Sequence, residues 1–334
     1  MNEGKLPPAV LNRLLRHTAP AGAEVLVGAA AGEDAAVVRG GGRLVVTADP
    51  ITFTEENIGY YAVAVNCNDV VAMGGSPRYL ITTLLLPPRF PSSRLSSVFR
   101  EIQSAAAAAG VLWIGGHTEV TSAVTRAVIS AQAIGFLRRS PLLTSAARPG
   151  QSLVMTKWAA LEASTLIARE KPEQVRRLLG AAGCLEVLGW LRSPGIGILP
   201  EGRILERFRL AAGHDPTEGG IATGIHEIAA RSGVGILLSG EAIPVHPHAR
   251  TICRHFGIDP LGALSSGVFL FTAAPEEARR ACAALARHRI PAAVIGEITR
   301  AAKQVRIRRA GALRPLKRFA RDEVLKLHVA ASKK

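Results

Sequence analysis

Asn66-Cys67-Asn68-Asp69-Val70-Val71-Ala72-Met73-Gly74-Gly75-Ser76-Pro77 is the stretch on which the reading of this chain turns. It closes an apolar segment over 58–73 whose pattern predicts a helix, stopped by the glycine pair with Pro77 just beyond. On that helix Asn68 and Asp69 lie one and two turns from Tyr61, Val65 and Ala72, as polar groups on a mainly apolar face. A helix this hydrophobic is buried, and a buried Asp must pair or neutralise. An internal cap or a salt bridge to an arginine would satisfy it. Intrahelical Asp has poor propensity and needs a reason, which favours a functional carboxylate.

Similar polar groups flank other apolar elements: Gly32-Glu33-Asp34-Ala35-Ala36, Val45-Val46-Thr47-Ala48-Asp49 and Gly115-Gly116-His117-Thr118-Glu119. Asp49 ends an apolar strand, the edge at which ligands of α/β sheets gather, or it caps the following loop. The double glycine follows a short strand over 111–114, expected to be buried, and lets backbone approach a phosphate closely. His117 beside it reads as a base, a metal ligand or a plain loop residue. Asp215-Pro216-Thr217-Glu218-Gly219-Gly220 opens a later helix, whose start favours bound anions; an ordinary N-cap would explain one polar residue there but not the glycine pair. Acids set against apolar surface in an arginine-rich chain need a cation to offset their desolvation. Magnesium with a nucleotide is the natural choice, since Mg²⁺ takes one or two carboxylates plus phosphate oxygens.

Composition bounds the rest. The 334 residues suffice for two domains, and 48% apolar content is that of a globular chain. No apolar run reaches membrane-spanning length, and residues 1–8 lack signal-peptide features. The four cysteines, Cys67, Cys184, Cys253 and Cys282, form no CxxC pair, so a cytoplasmic chain with reduced thiols is expected. A net charge of +15 raises nucleic acid as a partner. The basic residues are spread along the chain and only 4% of residues are aromatic, so a solvated surface that attracts anionic substrates is the better reading.

Periodicity predicts helices over 7–17, 58–73, 93–109, 161–169, 221–232 and 275–288, with a helical region to about 191. It predicts strands over 35–39, 43–48, 79–86, 111–114, 126–137, 152–156, 234–238, 268–273 and 292–298. Residues 138–150 read as a connection and 193–202 as a Gly/Pro loop. The order repeats in outline, which argues for α/β or α+β layers in two domains, 1–150 and 151–334.

Taken in order, Gly32–Ala36, Thr47–Asp49, Asn68–Pro77, Gly115–Thr118, Asp215–Gly220 and Ile295-Gly296-Glu297-Ile298-Thr299 resemble the AIR synthase-like (PurM-like) superfamily. That group includes aminoimidazole ribonucleotide synthetase, selenophosphate synthetase, thiamine-monophosphate kinase and the hydrogenase maturation protein HypE, and the chain looks most like the HypE and AIR synthase-related branch. The resemblance implies a homodimer formed by pairing the N-terminal domain sheets, with ATP in the cleft between subunits and Mg²⁺ on acidic residues. It implies Asp34, Asp49 and Asp69 as metal carboxylates, and Thr47, Asn68, Gly115, Gly116, His117 and Thr118 around the nucleotide. Asp69, Asp215 and Glu218 would be catalytic. The implied chemistry activates an amide-like or phosphate-accepting oxygen with the γ-phosphate of ATP, on a small-molecule or protein-borne acceptor, and the resemblance extends to a maturation-type protein partner. A small-molecule kinase or synthetase similar to thiamine-monophosphate kinase, or a nucleotide-binding protein without turnover, stands as the alternative.

The sequence departs from its branch in three places. Its last residues are Leu327-His328-Val329-Ala330-Ala331-Ser332-Lys333-Lys334, without the terminal cysteine that bears the carbamoyl group in HypE. His117 stands where an acidic residue is usual. Lys157-Trp158-Ala159-Ala160-Leu161-Glu162-Ala163 has alanines where relatives show glycines, which narrows the room for backbone approach.

Overall fold

The structure, a computed structural model, describes residues 25–27, 33, 35–39 and 42–329. The predicted helix over 7–17 lies outside the described residues. The chain divides into two compact units, with the division between Pro141 and Leu142.

In the first unit the order is β1 (Val25–Val27), β2 (Ala36–Arg39), β3 (Arg43–Ile51), α1 (Ile58–Ala72), β4 (Ser76–Leu86), α2 (Ser92–Ala109), β5 (Leu112–Val120) and β6 (Val128–Leu137). They form a six-stranded sheet in the order β1-β2-β3-β6-β4-β5, in which only β4 and β5 run parallel. Antiparallel pairing dominates, so the layers are α+β.

The alternation along β3 is regular: Val45, Thr47 and Ile51 are buried while Ala48 and Pro50 are exposed. This periodicity of two puts Thr47 and Asp49 on one face. Helix α1 has almost no polar side, and all but one of its residues are buried. Sheet and α2 together explain this. At Gly59 a Cβ would meet the Val98 carbonyl oxygen at 2.7 Å and Ile102 nitrogen at 2.8 Å, so α2 can approach only a glycine there. Met73 and Gly75 close the helix by donating to the carbonyls of Asp69 and Val70.

One expectation is overturned here. The sequence predicts a short buried strand over 111–114 that ends at the glycine pair, whereas β5 runs on through Gly115-Gly116-His117-Thr118-Glu119 and is exposed along most of its length. The strand lies at the sheet edge and pairs only with β4. Both glycines sit at φ 149°, and a Cβ on Gly116 would fall 1.8 Å from the carbonyl oxygen of Thr82, its β4 neighbour. Here glycine serves close strand approach, not a turn.

The second unit contains β7 (Ser152–Thr156), α3 (Leu161–Glu170), α4 (Pro172–Gly189), α5 (Leu199–Leu205), β8 (Leu210–His214), α6 (Gly220–Ser232) and β9 (Gly235–Ser239). There follow α7 (Pro247–His255), β10 (Leu270–Ala273), α8 (Pro275–Arg287), β11 (Ala292–Thr299), β12 (Val305–Arg309) and β13 (Ala312–Pro315). Its sheet has the order β13-β12-β9-β11-β7-β10-β8. Ile221, Ile225, Ile228 and Ala229 of α6, spaced as one helical stripe, bury against Leu153, Met155, Ile236, Leu238 and Ile295. Each such isoleucine contributes about 1.5–3 kcal/mol through burial. Residues 193–202, read as a loop, instead hold a wide helical turn, Leu191–Gly195, and most of α5. Their Gly and Pro content hides helices too short to show a period.

Candidate active site

Two hydrogen-bonded links join β3 to α1. Thr47 donates its hydroxyl to Asp69 Oδ2 at 2.5 Å. The Asp49 amide donates to Asn66 Oδ1 at 2.9 Å, and Asn66 Nδ2 donates back to the Asp49 carbonyl at 3.2 Å and to the Ala62 carbonyl at 2.9 Å. Asn66 therefore pins the backbone at Asp49, two residues beyond the point where Thr47 orients Asp69. Thr47, Asn66, Asn68 and Asp69 are all buried. Burial, with the Asp69 carboxylate next in weight, pushes the Cys67 thiol up to about 12, so this cysteine is not a nucleophile at neutral pH.

These bonds hold the Asp49 backbone on β3 and the Asp69 carboxylate on α1 along one seam. Among the described residues no three His, Cys, Asp or Glu side chains form a metal cage; Asp34 lies outside the described residues. The buried Asp69 carboxylate offers hard oxygen donors of the kind that Mg²⁺ takes alongside water and phosphate.

The remaining nucleotide candidates are not brought to this seam within the chain. Gly115, Gly116, His117 and Thr118 sit on β5, separated from β3 by β6 and β4. Three strand spacings amount to about 14 Å. His117 lies 3.8 Å from Glu119 with both side chains more than half exposed, a pair of little energetic weight. Trp113 Nε1 donates to Thr82 Oγ1 and to the Gly115 carbonyl, each at 3.0 Å, which holds the glycine pair flat against β4.

The second unit carries its own polar centre. Asp215 and His214 are buried at the end of β8, with His214 Nε2 2.8 Å from Glu227 Oε2. In the turn that follows, Gly219 and Gly220 sit at φ 75° and 60°, and Glu218 is exposed. A Cβ on Gly220 would meet the carbonyl oxygens of Ala263 and Leu261 at 2.6 Å, so only glycine lets α6 start so close to that loop.

Three groups here escape sequence reasoning. Asp322 Oδ2 accepts from the Gly219 amide at 2.7 Å. Glu162 lies fully buried in the first turn of α3. Lys157 Nζ, 1% exposed, donates to the carbonyls of Gly195 and Gly197 and sits 2.9 Å from Glu201 Oε1, in an ion contact not aligned as a hydrogen bond. Asn66, by contrast, had a local signal, its place in the buried helix three residues before Asp69; these three depend on segments far apart in sequence.

Residues 32–137 match the AIR synthase related protein, N-terminal domain, and residues 148–308 match the C-terminal domain of the same family. The chain belongs to the AIR synthase related family. This enzyme family has the PurM-like fold, and the two-sheet architecture described above is that fold. Carbamoyl dehydratase HypE of Rhizobium leguminosarum bv. viciae is 30% identical over 269 residues, covering 77% of this chain and 74% of the relative. A crystal structure of a HypE–HypF complex gives a TM-score of 0.73 at 25% identity over 86% of this chain and 93% of that one. A HypE crystal structure in complex with ATP gives 0.69 at 24% identity over 97% and 98%, and at that identity it speaks for the fold alone. Among the described residues, no helix of this family member is long and apolar enough to cross a membrane.

Proposed function

We propose that this chain is a Mg·ATP-dependent enzyme of the HypE/AIR synthase-related type, which activates an amide-like or phosphate-accepting oxygen with the γ-phosphate. The observation that carries this reading is the buried β3–α1 seam, where Thr47 fixes Asp69 and Asn66 fixes the backbone at Asp49. A carboxylate held in one orientation before the ligand arrives has no reorganisation to undergo, which is what phosphoryl transfer asks of the protein. Asp49 and Asp69, with Asp34, would hold Mg²⁺, whose contribution is to neutralise phosphate charge. Thr47 and Asn68 border the nucleotide, and Asp215 and Glu218 serve the acceptor.

A second copy completes the site in this reading. The β5 motif is separated from the seam within its own subunit, and the sheet face turned away from α1 and α2 carries an apolar row. Val46, Ile134, Tyr79 and Leu112 are neighbours across β3, β6, β4 and β5 and are all at least partly exposed. Phe136 lies 6.2 Å from Tyr79 in edge-to-face contact and is 40% exposed. Such a face is a pairing surface for its like. By kinship with HypE, which has been crystallised in a complex with HypF, the proposal places the chain in the cytoplasm with a small-molecule or protein-borne acceptor and a maturation-type protein partner.

Calorimetry of ATP with and without Mg²⁺ tests the proposal on wild type, Asp69→Asn and Asp49→Asn. Mg²⁺-dependent binding weakened at least tenfold by each substitution supports it. No binding by the folded wild-type chain refutes it, and a phosphorylated small-molecule product would identify a kinase instead.

A further inference from the structure

Helix α8 carries Arg280, Ala283, Ala284 and Arg287 at the spacing i, i+3, i+4 and i+7, which sets them on one stripe of its surface. The turn that joins α5 to β8 carries Arg207 and Phe208. Together these six residues line a cavity of about 340 Å³ in the second unit. Its cause is local. Alanine side chains are too short to fill the space between the helix and the turn. Arg280 and Arg287 stand two helical turns apart, about 10 Å along the axis, so guanidinium groups flank the alanine floor.

The frame of the cavity is pinned on both sides. The Phe208 amide donates to the Leu205 carbonyl at 2.9 Å, and the Arg209 amide donates to Glu277 Oε1 at 2.9 Å. Glu277 Oε2 accepts from Arg280 Nη1 at 2.9 Å, which orients that guanidinium. The Arg207 guanidinium lies 5.6 Å from the centroid of the Phe208 ring. Among the described residues, Glu277 is the only acid in hydrogen-bond or ion-pair contact with the three arginines. Three guanidiniums against one carboxylate leave a surplus of two positive charges at the cavity. A solvated basic surface accounts for exposed arginines, but not for an apolar hollow between them.

We propose that this cavity binds the phosphate monoester of a small organic molecule, with the phosphate among Arg207, Arg280 and Arg287 and the organic body against Phe208 and the alanines. A phosphate monoester carries a charge of about −1.5 to −2 at pH 7, which matches the surplus. Guanidinium groups present paired N–H donors that fit phosphate oxygens, and a planar, weakly hydrated cation tolerates an apolar surround. The volume falls at the low end of the roughly 300–1,000 Å³ of small-molecule sites, which suits a compact ligand. None of Thr47, Asp49, Asn66 and Asp69 takes part, so this site stands whether or not the β3–α1 seam binds ATP.

The test is calorimetric titration of the full chain with phenyl phosphate at low salt, with inorganic phosphate and a glutamate-rich peptide as comparison ligands. Wild type should bind phenyl phosphate about tenfold more tightly than inorganic phosphate, because only the ester reaches Phe208. Arg207→Ala and Arg287→Ala remove exposed side chains and should each weaken that binding at least fivefold, with an unchanged circular dichroism spectrum. Arg314→Ala, at an exposed arginine of β13, should leave it unchanged. No binding by the folded wild type would overturn the proposal, as would an equal loss in Arg314→Ala, which marks general attraction of anions. Binding that survives Arg207→Ala and Arg287→Ala but is lost in Asp69→Asn belongs to the seam and would also overturn it. Equal affinity for inorganic phosphate and the ester, or tighter binding of the peptide, would overturn the ligand class.

Discussion

Replacing Lys157 by Met should be among the most damaging single changes in the second unit. The Lys157 and Glu201 side chains are 1% and 0% exposed and 2.9 Å apart. The ammonium also donates to the Gly195 carbonyl at 3.1 Å and the Gly197 carbonyl at 2.8 Å. Lys157→Met leaves a buried carboxylate without its cation, which costs about 3–5 kcal/mol. Glu201→Gln leaves the ammonium its two carbonyl acceptors and should cost less, about 1.5–3 kcal/mol. Replacing both, Lys157→Met with Glu201→Gln, removes the charges together and should cost less than Lys157→Met alone. Urea unfolding followed by fluorescence of Trp158 and Trp190, both in this unit, measures the cycle. At about 2–3 kcal/mol per molar urea, Lys157→Met should lower the midpoint by more than about 1 M. A fall below about 0.3 M, or additive costs in the double variant, would refute the claim that the pair is dry and mutually dependent. The consequence reaches the site, because Lys157 and Ala160, at φ 54° and 58°, shape the turn that delivers Glu162.

Two further outcomes follow from named contacts. Gly116→Ala would set a Cβ 1.8 Å from the Thr82 carbonyl, so β5 must separate from β4; loss of the proposed dimer in size-exclusion chromatography is expected, and a dimer that elutes unchanged would refute it. Glu162 should also set a pH dependence of stability. Its folded value, about 7, lies above the ordinary 4.5, so the folded state holds the proton more tightly than the unfolded chain. Stability therefore falls as pH rises from about 4.5 through 7, by up to about 3 kcal/mol, and is level above that range. Urea midpoints at pH 5 and pH 8.5 should differ less in Glu162→Gln than in wild type; equal differences would count against it.

Local pattern carried the sequence a long way. The apolar run of α1, its glycine stop and the alternation of β3 identify a buried helix against a strand, because solvent exclusion imposes a period on any element that must cover a core. Asp49 and Asp69 stand out for the same reason: a carboxylate among apolar neighbours is conspicuous wherever the fold puts it. Tertiary structure decided what depends on pairing. Thr47 meets Asp69 because β3 lies across α1, and no spacing in the chain announces it. The Gly115–Glu119 motif reads as a flexible stretch open to a phosphate until β4 is placed beside it; then the glycines become the condition for strand contact, and the edge position moves the motif away from the seam. Glu162 and Asp322 are 160 residues apart. Burial raises the carboxyls of Glu162 and Asp322 because segments distant in sequence close around them and exclude the water that would let each ionise alone.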